Sequence, residues 1–250
     1  MQRSISTQAI VIRRERYGEF HKSLALLTAD LGLISATAYG AYKMNSSLRM
    51  GSEPFTWCLA RLYYNPVKRT YKVTDLEISD SFTALQQDVG TLAAASLWAE
   101  VVQKSYGAGE TSSVLFYLFL DCLRLLSVAG RREPYVSVQF LWRFLSLAGY
   151  QPDTSVCDRC GAPFGETRAA RYSPQGNAFL CQACGVDQEV TLPAGCLRYL
   201  DATQSMTMEA ALEVSMDAAS LGALRRMLPR MVQGILEGEL SSLRWAGAAR

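Results

Sequence analysis

Four cysteines draw attention by their spacing. Cys157-Asp-Arg-Cys160 and Cys181-Gln-Ala-Cys184 form two C-x-x-C pairs with twenty residues between them. Each pair offers two thiolates from one tight turn, and together they supply the four soft ligands of a tetrahedral zinc ion. A glycine follows each pair, Gly161 and Gly185, where the missing Cβ relieves crowding as the backbone curls around a metal. The segment Tyr172-Ser-Pro-Gln-Gly-Asn-Ala-Phe179 reads as a hairpin that returns the second pair to the first. One Zn2+ per chain, bound by Cys157, Cys160, Cys181 and Cys184, is the expectation; an iron–sulfur cluster or stray thiols are the alternatives. Four protein thiolates close the coordination sphere, so the zinc reads as structural, since a catalytic zinc keeps an open position and usually takes histidine. The sole histidine, His21, is remote in sequence and reads as an ordinary polar surface residue. Cys58, Cys122 and Cys196 sit among apolar neighbours and read as small core residues.

The second chemical signal is charge. The chain's net charge is +2, but residues 1–73 carry eleven Lys/Arg against four Asp/Glu, a net of +7, and residues 74–250 carry a net of −5. A basic first third on an acidic remainder points to a polyanionic partner. Tyrosines Tyr17, Tyr39, Tyr42, Tyr63, Tyr64 and Tyr71 are interleaved with the cations, and cations beside stacking platforms suit single-stranded nucleic acid. The candidate DNA-binding set is Arg13, Arg14, Arg16, Lys22, Lys43, Arg49, Lys68 and Arg69, with Tyr42. No phosphate-binding glycine loop, dinucleotide fingerprint, serine-nucleophile elbow or zinc-protease motif occurs. Nor does a convergent acidic cluster stand out, so a non-enzymatic protein is expected.

The elements that must position these groups fall into two kinds. Alternation at Gln8–Arg13, Leu24–Leu26 and Leu33–Tyr39, then Phe55–Tyr64 and Tyr71–Ile78, predicts five short strands joined by turns such as Asn65-Pro66. Five strands in eighty residues suit a small barrel of the OB type, and the pattern also admits an SH3-like barrel. Helices are expected at Phe82–Lys104 with Ser81 as N-cap, at Ser113–Ala129, Val136–Ala148 and Pro193–Leu200, and at Asp217–Leu236 with a kink or break at Pro229. The fold class is therefore α+β: an N-terminal five-stranded OB-type β-barrel over 1–80, then an all-helical domain over 81–250 carrying a four-cysteine zinc knuckle at about 153–186. Val114–Ala129, the most apolar run, is interrupted by Asp121 and Arg124 and is shorter than a membrane span needs. With no secretory-type leader pattern and with cysteines paired for metal, a cytoplasmic protein is expected.

Several stretches resemble the RecO family of bacterial recombination mediators. Thr7-Gln-Ala-Ile-Val-Ile-Arg-Arg, Tyr17-Gly-Glu, Leu26-Leu-Thr-Ala-Asp-Leu-Gly-Leu-Ile-Ser, Gly40-Ala-Tyr-Lys, and Leu48-Arg49 followed by Pro54-Phe55 resemble its barrel. Leu147-Ala-Gly-Tyr150-Gln-Pro, Cys157-Asp-Arg-Cys-Gly161, Tyr172-Ser-Pro and Leu180-Cys-Gln-Ala-Cys184 resemble its helical domain and zinc knuckle. The resemblance implies a nucleoid-associated DNA-repair protein that binds single- and double-stranded DNA and anneals complementary strands. It also implies partnership with RecR, and contact with single-strand-binding protein during loading of RecA. Tyr42 departs from the family pattern, taking the first place of a run that is often basic. The family analogy further suggests a docking pocket for the acidic, aromatic-ended tail of single-strand-binding protein. Its expected wall is any exposed member of Phe116, Tyr117, Phe119, Leu123, Phe140, Trp142 and Phe144, ringed by Arg124, Arg131, Arg132 and Arg143. An RNA- or ribosome-associated zinc adaptor and a metal-dependent nuclease are the rival readings.

Overall fold

Strands β1 (Ser4–Tyr17), β2 (His21–Thr28), β3 (Gly32–Ala38), β4 (Trp57–Asn65) and β5 (Thr70–Asp80) close into a barrel in the order β1-β2-β3-β5-β4. The computed structural model describes residues 3–105, 113–128, 132–165, 169–186, 190–236 and 238–243. Closure depends on one parallel contact, in which β3 meets β5 at Ala36↔Tyr71 and Thr37↔Lys72, the other pairings being antiparallel. This is the order of an OB barrel, and it leaves no free sheet edge. Ala9, Val11, Leu24, Leu26, Ala60, Leu62 and Val73 fill the interior. Helix α1 (Leu48–Gly51) lies in the long connection between β3 and β4.

Successive strand residues face opposite sides, yet β1 is buried on both. Ile10 and Ile12 are buried, like Ala9 and Val11, but lie outside the interior cluster. Helices α2 (Val89–Ser105) and α3 (Ser113–Val128) account for this, packing against β1 and β2 respectively. The first compact unit is consequently Met1–Val128, extending well past the last barrel strand, and the second is Ala129–Arg250. The start of α2 also differs from expectation. Phe82 is buried with a φ of +42°, a 3₁₀ turn spans Thr83–Gln87, and the Asp88 carboxylate, not Ser81, accepts the Thr91 N–H at 2.8 Å. Asp88 breaks the run because its side chain satisfies an otherwise orphaned helical donor.

In the second unit α4 (Glu133–Leu147) packs with α6 (Met208–Glu213) and α7 (Ala218–Ile235), and α5 (Ala194–Thr203) packs with α7. Helix α7 runs through Pro229 without a break. Leu224, Met227, Leu228, Met231 and Val232 are buried around the proline, and this burial offsets the lost hydrogen bond. A small sheet, β6 (Ala170–Ser173), β7 (Ala178–Cys181) and β8 (Val190–Leu192), has the order β7-β6-β8. No described helix is long and apolar enough to cross a membrane.

Candidate metal centre and nucleic-acid interface

The expected hairpin is β6–β7, and it ends on the third cysteine. Cys157, Cys160, Cys181 and Cys184 converge with all four Sγ atoms within 4.8 Å of one another, and Cys160 Sγ lies 3.9 Å from Cys181 Sγ. Thiolates at about 2.3 Å from a tetrahedral zinc stand roughly 3.8 Å apart, so the spacing fits. Each pair sits in its own backbone knuckle. Gly161 N–H donates to Cys157 O at 2.8 Å, with Gly161 at a φ of +69°, and Gly185 N–H donates to Cys181 O at 2.9 Å. Asp158 N–H to Phe179 O at 3.1 Å ties the first knuckle to β7, and the Arg159 guanidinium donates to Cys184 O across to the second.

The thiols are electrostatically split. Burial opposes ionisation of Cys157, but backbone N–H groups of Cys181, Cys160 and Arg159 and the Cys160 thiol hold it down to about 6. Cys184, donating to Cys160 and Cys181 beside that thiolate, is pushed up to about 12. Four thiolates this close repel one another, and a bound cation removes that penalty. The cluster can thus hold a metal ion through four protein sulfurs, leaving no position for a reacting water.

The barrel carries a separate site where the β1–β2 turn meets residues 39–43. Tyr17, Phe20, Tyr39 and Tyr42 are between 37% and 54% exposed there, far more than core aromatics. Cations stand over these rings. Arg16 lies 6.0 Å from the Tyr42 ring, Lys43 6.0 Å from Phe20 and Lys72 5.5 Å from Tyr39. Arg14 donates to Tyr42 Oη at 3.3 Å, and Tyr42 N–H donates to Phe20 O at 3.1 Å. Exposed rings edged by guanidinium and ammonium groups can stack bases while neutralising phosphates. Sequence reasoning missed Phe20, as it missed any role for His21. Neither type at that spacing signals binding until the turn from Tyr39 to Lys43 folds against them.

Comparison with known proteins agrees in both parts of the chain. The family model described as "Recombination protein O N terminal" matches residues 1–82, and that described as "Recombination protein O C terminal" matches residues 86–244. The chain belongs to the RecO family. It is 36% identical over 180 residues to the DNA repair protein RecO of Heliobacterium modesticaldum, covering 71% of this chain and 64% of that one. It is 29% identical over 243 residues to the RecO of Anaeromyxobacter dehalogenans, covering 96% and 95% of the two chains, and 30% identical over 242 residues to that of Roseiflexus, covering 95% and 83%.

Within this RecO chain the structure separates the candidate cations. Lys22 is a correction: only 1% exposed, it gives its ammonium to Glu53 Oε1 at 2.9 Å, Ser52 Oγ at 2.7 Å and Arg49 O at 3.3 Å. A charge so enclosed presents nothing to a phosphate. Arg13 pairs with Glu15 at 2.6 Å, on the face of β1 opposite Arg14 and Arg16. Arg49 is exposed on α1, and Lys68 and Arg69 are exposed on the β4–β5 turn. The expected ring of arginines has other employment. Arg124 pairs with Asp121 and lies 4.7 Å from the Trp57 ring in the first unit. In the second unit Arg132 holds Glu213 and Leu212 O, and Arg143 bonds Gln139, Thr203 O and Met206 O. Arg131 lies outside the described residues. Of the aromatic and leucine set named with them, Tyr117 alone is exposed and the others are buried core.

Proposed function

We propose that this RecO-family protein is a non-enzymatic recombination mediator that acts on cytoplasmic, nucleoid-associated DNA. It binds single- and double-stranded DNA through the barrel, anneals complementary strands and, with RecR, helps load RecA onto DNA coated by single-strand-binding protein. The observation that carries this reading is the exposed aromatic–cation face at the β1–β2 turn, built from Arg14, Arg16, Phe20, Tyr39, Tyr42, Lys43 and Lys72. Family membership supports it, since the relatives are DNA repair proteins by name. Phosphate contacts would hold either strand form without sequence preference, and exposed rings would favour unpaired bases. Annealing then follows from holding one strand with its bases accessible to another. The four-cysteine cluster binds zinc, which on this reading keeps the hairpin folded and takes no part in strand chemistry. Contacts to RecR and to the tail of single-strand-binding protein fall, on this reading, to surfaces other than the expected arginine-ringed pocket, whose apolar members are buried apart from Tyr117.

The test is annealing of complementary oligonucleotides, naked and coated by single-strand-binding protein. Acceleration of both is expected, with the coated reaction requiring the coat protein's tail and with no strand scission in Mg2+ or Mn2+. Unchanged annealing rates refute the mediator reading, and cleavage refutes the non-enzymatic one.

A further inference from the structure

His21 begins β2 and is partly buried. Its Nδ1 accepts the N–H of Gly40 at 2.9 Å. An accepting nitrogen offers its lone pair, so this bond is made through an Nδ1 that bears no proton. Its centroid lies 4.9 Å from the Tyr39 ring, edge to face, and 6.4 Å from that of Tyr17. Gly40 has a φ of +73°, and Lys43 N–H donates to Gly40 O at 2.9 Å to close the turn. Ala41 plugs into the barrel interior. The segment bearing Tyr39, Tyr42 and Lys43 is therefore fastened to the β1–β2 turn by two hydrogen bonds, the backbone bond of Tyr42 to Phe20 and the imidazole bond to Gly40.

We propose that His21 is a positioning residue that holds this turn, and with it Tyr39, Tyr42 and Lys43, in the arrangement that receives unpaired DNA bases; the inference rests on the reading of this face as a DNA site. The chemistry of the position explains the residue type. A carboxylate could accept the Gly40 N–H but would set a negative charge beside the phosphates. Lysine cannot accept at all, and asparagine accepts without offering a ring to Tyr39. An imidazole accepting through Nδ1 does both without adding anionic charge.

Three variants separate the roles. In His21→Asn the side-chain oxygen stands where Nδ1 stood; in His21→Gln the acceptor lies one bond further out; His21→Phe keeps the ring and loses the acceptor. Binding of oligothymidylate is read by fluorescence anisotropy, and backbone exchange of residues 39–46 by hydrogen–deuterium mass spectrometry. His21→Phe and His21→Gln are expected to weaken binding about tenfold, the scale of one stacked base, and to speed exchange in the turn. His21→Asn is expected to stay within about threefold of wild type, since it restores the anchor. Tyr39→Ala and Lys43→Glu, measured alongside, report on the face itself. If those two lose binding while His21→Phe keeps wild-type affinity and turn protection, the inference is overturned and the DNA site stands. If neither Tyr39→Ala nor Lys43→Glu alters binding, the site falls and the inference falls with it.

Discussion

Among the described residues Lys22 is the one buried cation, and the barrel's tolerance of it can be worked out from its partners. Its ammonium has three protons and three acceptors: Glu53 Oε1, Ser52 Oγ and Arg49 O. Glu53 supplies the only negative charge of the three, and its side chain is 35% exposed. Glu53→Gln keeps the shape and leaves the enclosed ammonium without a counter-charge. Breaking a fully buried pair costs about 3–5 kcal/mol, and partial exposure of Glu53 screens this toward about 2–3 kcal/mol. Lys22→Met removes the charge together with its desolvation penalty. Ser52 Oγ still reaches Arg49 O at 3.0 Å and Glu53 still pairs with Arg14 at 2.9 Å, so this change costs about 1 kcal/mol or less. Native-state hydrogen exchange of the slowest β1 and β2 amides reads the barrel apart from the second unit. Exchange is expected to quicken roughly 30- to 150-fold in Glu53→Gln, from about 1.4 kcal/mol per decade, and severalfold at most in Lys22→Met. Equal losses, or a larger loss in Lys22→Met, would refute the argument and show that aliphatic packing rather than charge pairing matters at this position.

The metal prediction is one zinc per chain by elemental analysis. Cys157→Ser with Cys181→Ser, or chelation, should abolish it and expose the β6–β7 hairpin to proteolysis; Phe179 lies 6.5 Å from Trp142, so indole fluorescence should change while the barrel amides stay protected. DNA binding should weaken steeply with salt. Lys43→Glu with Arg49→Glu should reduce affinity and lower the salt slope by about one per lost phosphate contact, whereas Arg225→Glu with Arg226→Glu should change neither. Asp217 caps α7, and hydrogen bonds from the Ser220 side chain and backbone hold its carboxyl below the usual range. A depressed carboxyl stabilises the fold above its unfolded pKa and loses that effect as pH falls through the folded one, so Asp217→Asn should flatten the acid end of the second unit's thermal stability profile.

Much of this protein is written locally in its residues. The two C-x-x-C pairs name their own partners, because thiolate chemistry and knuckle geometry need only a hairpin between them, and Tyr172–Phe179 provides it. The five strands are legible because apolar alternation and turns such as Asn65-Pro66 act over a few residues. Other features depend on neighbours distant in sequence. Strand β8 has three residues and α6 six, too few for a period to register. Ile10 and Ile12 look like one strand face, but only the packing of α2 and α3 on the barrel makes both faces of β1 interior and carries the first unit to Val128. Lys22 is indistinguishable from an exposed lysine until the β3–β4 connection brings Ser52 and Glu53 over it. His21 is likewise silent until Gly40 turns its N–H onto the ring. Residue type and short-range spacing settle what a hydrogen bond or a metal ligand can be, whereas burial and the facing partner decide whether a charge serves a ligand or the fold. Those are properties of chain closure, which no stretch of sequence holds by itself.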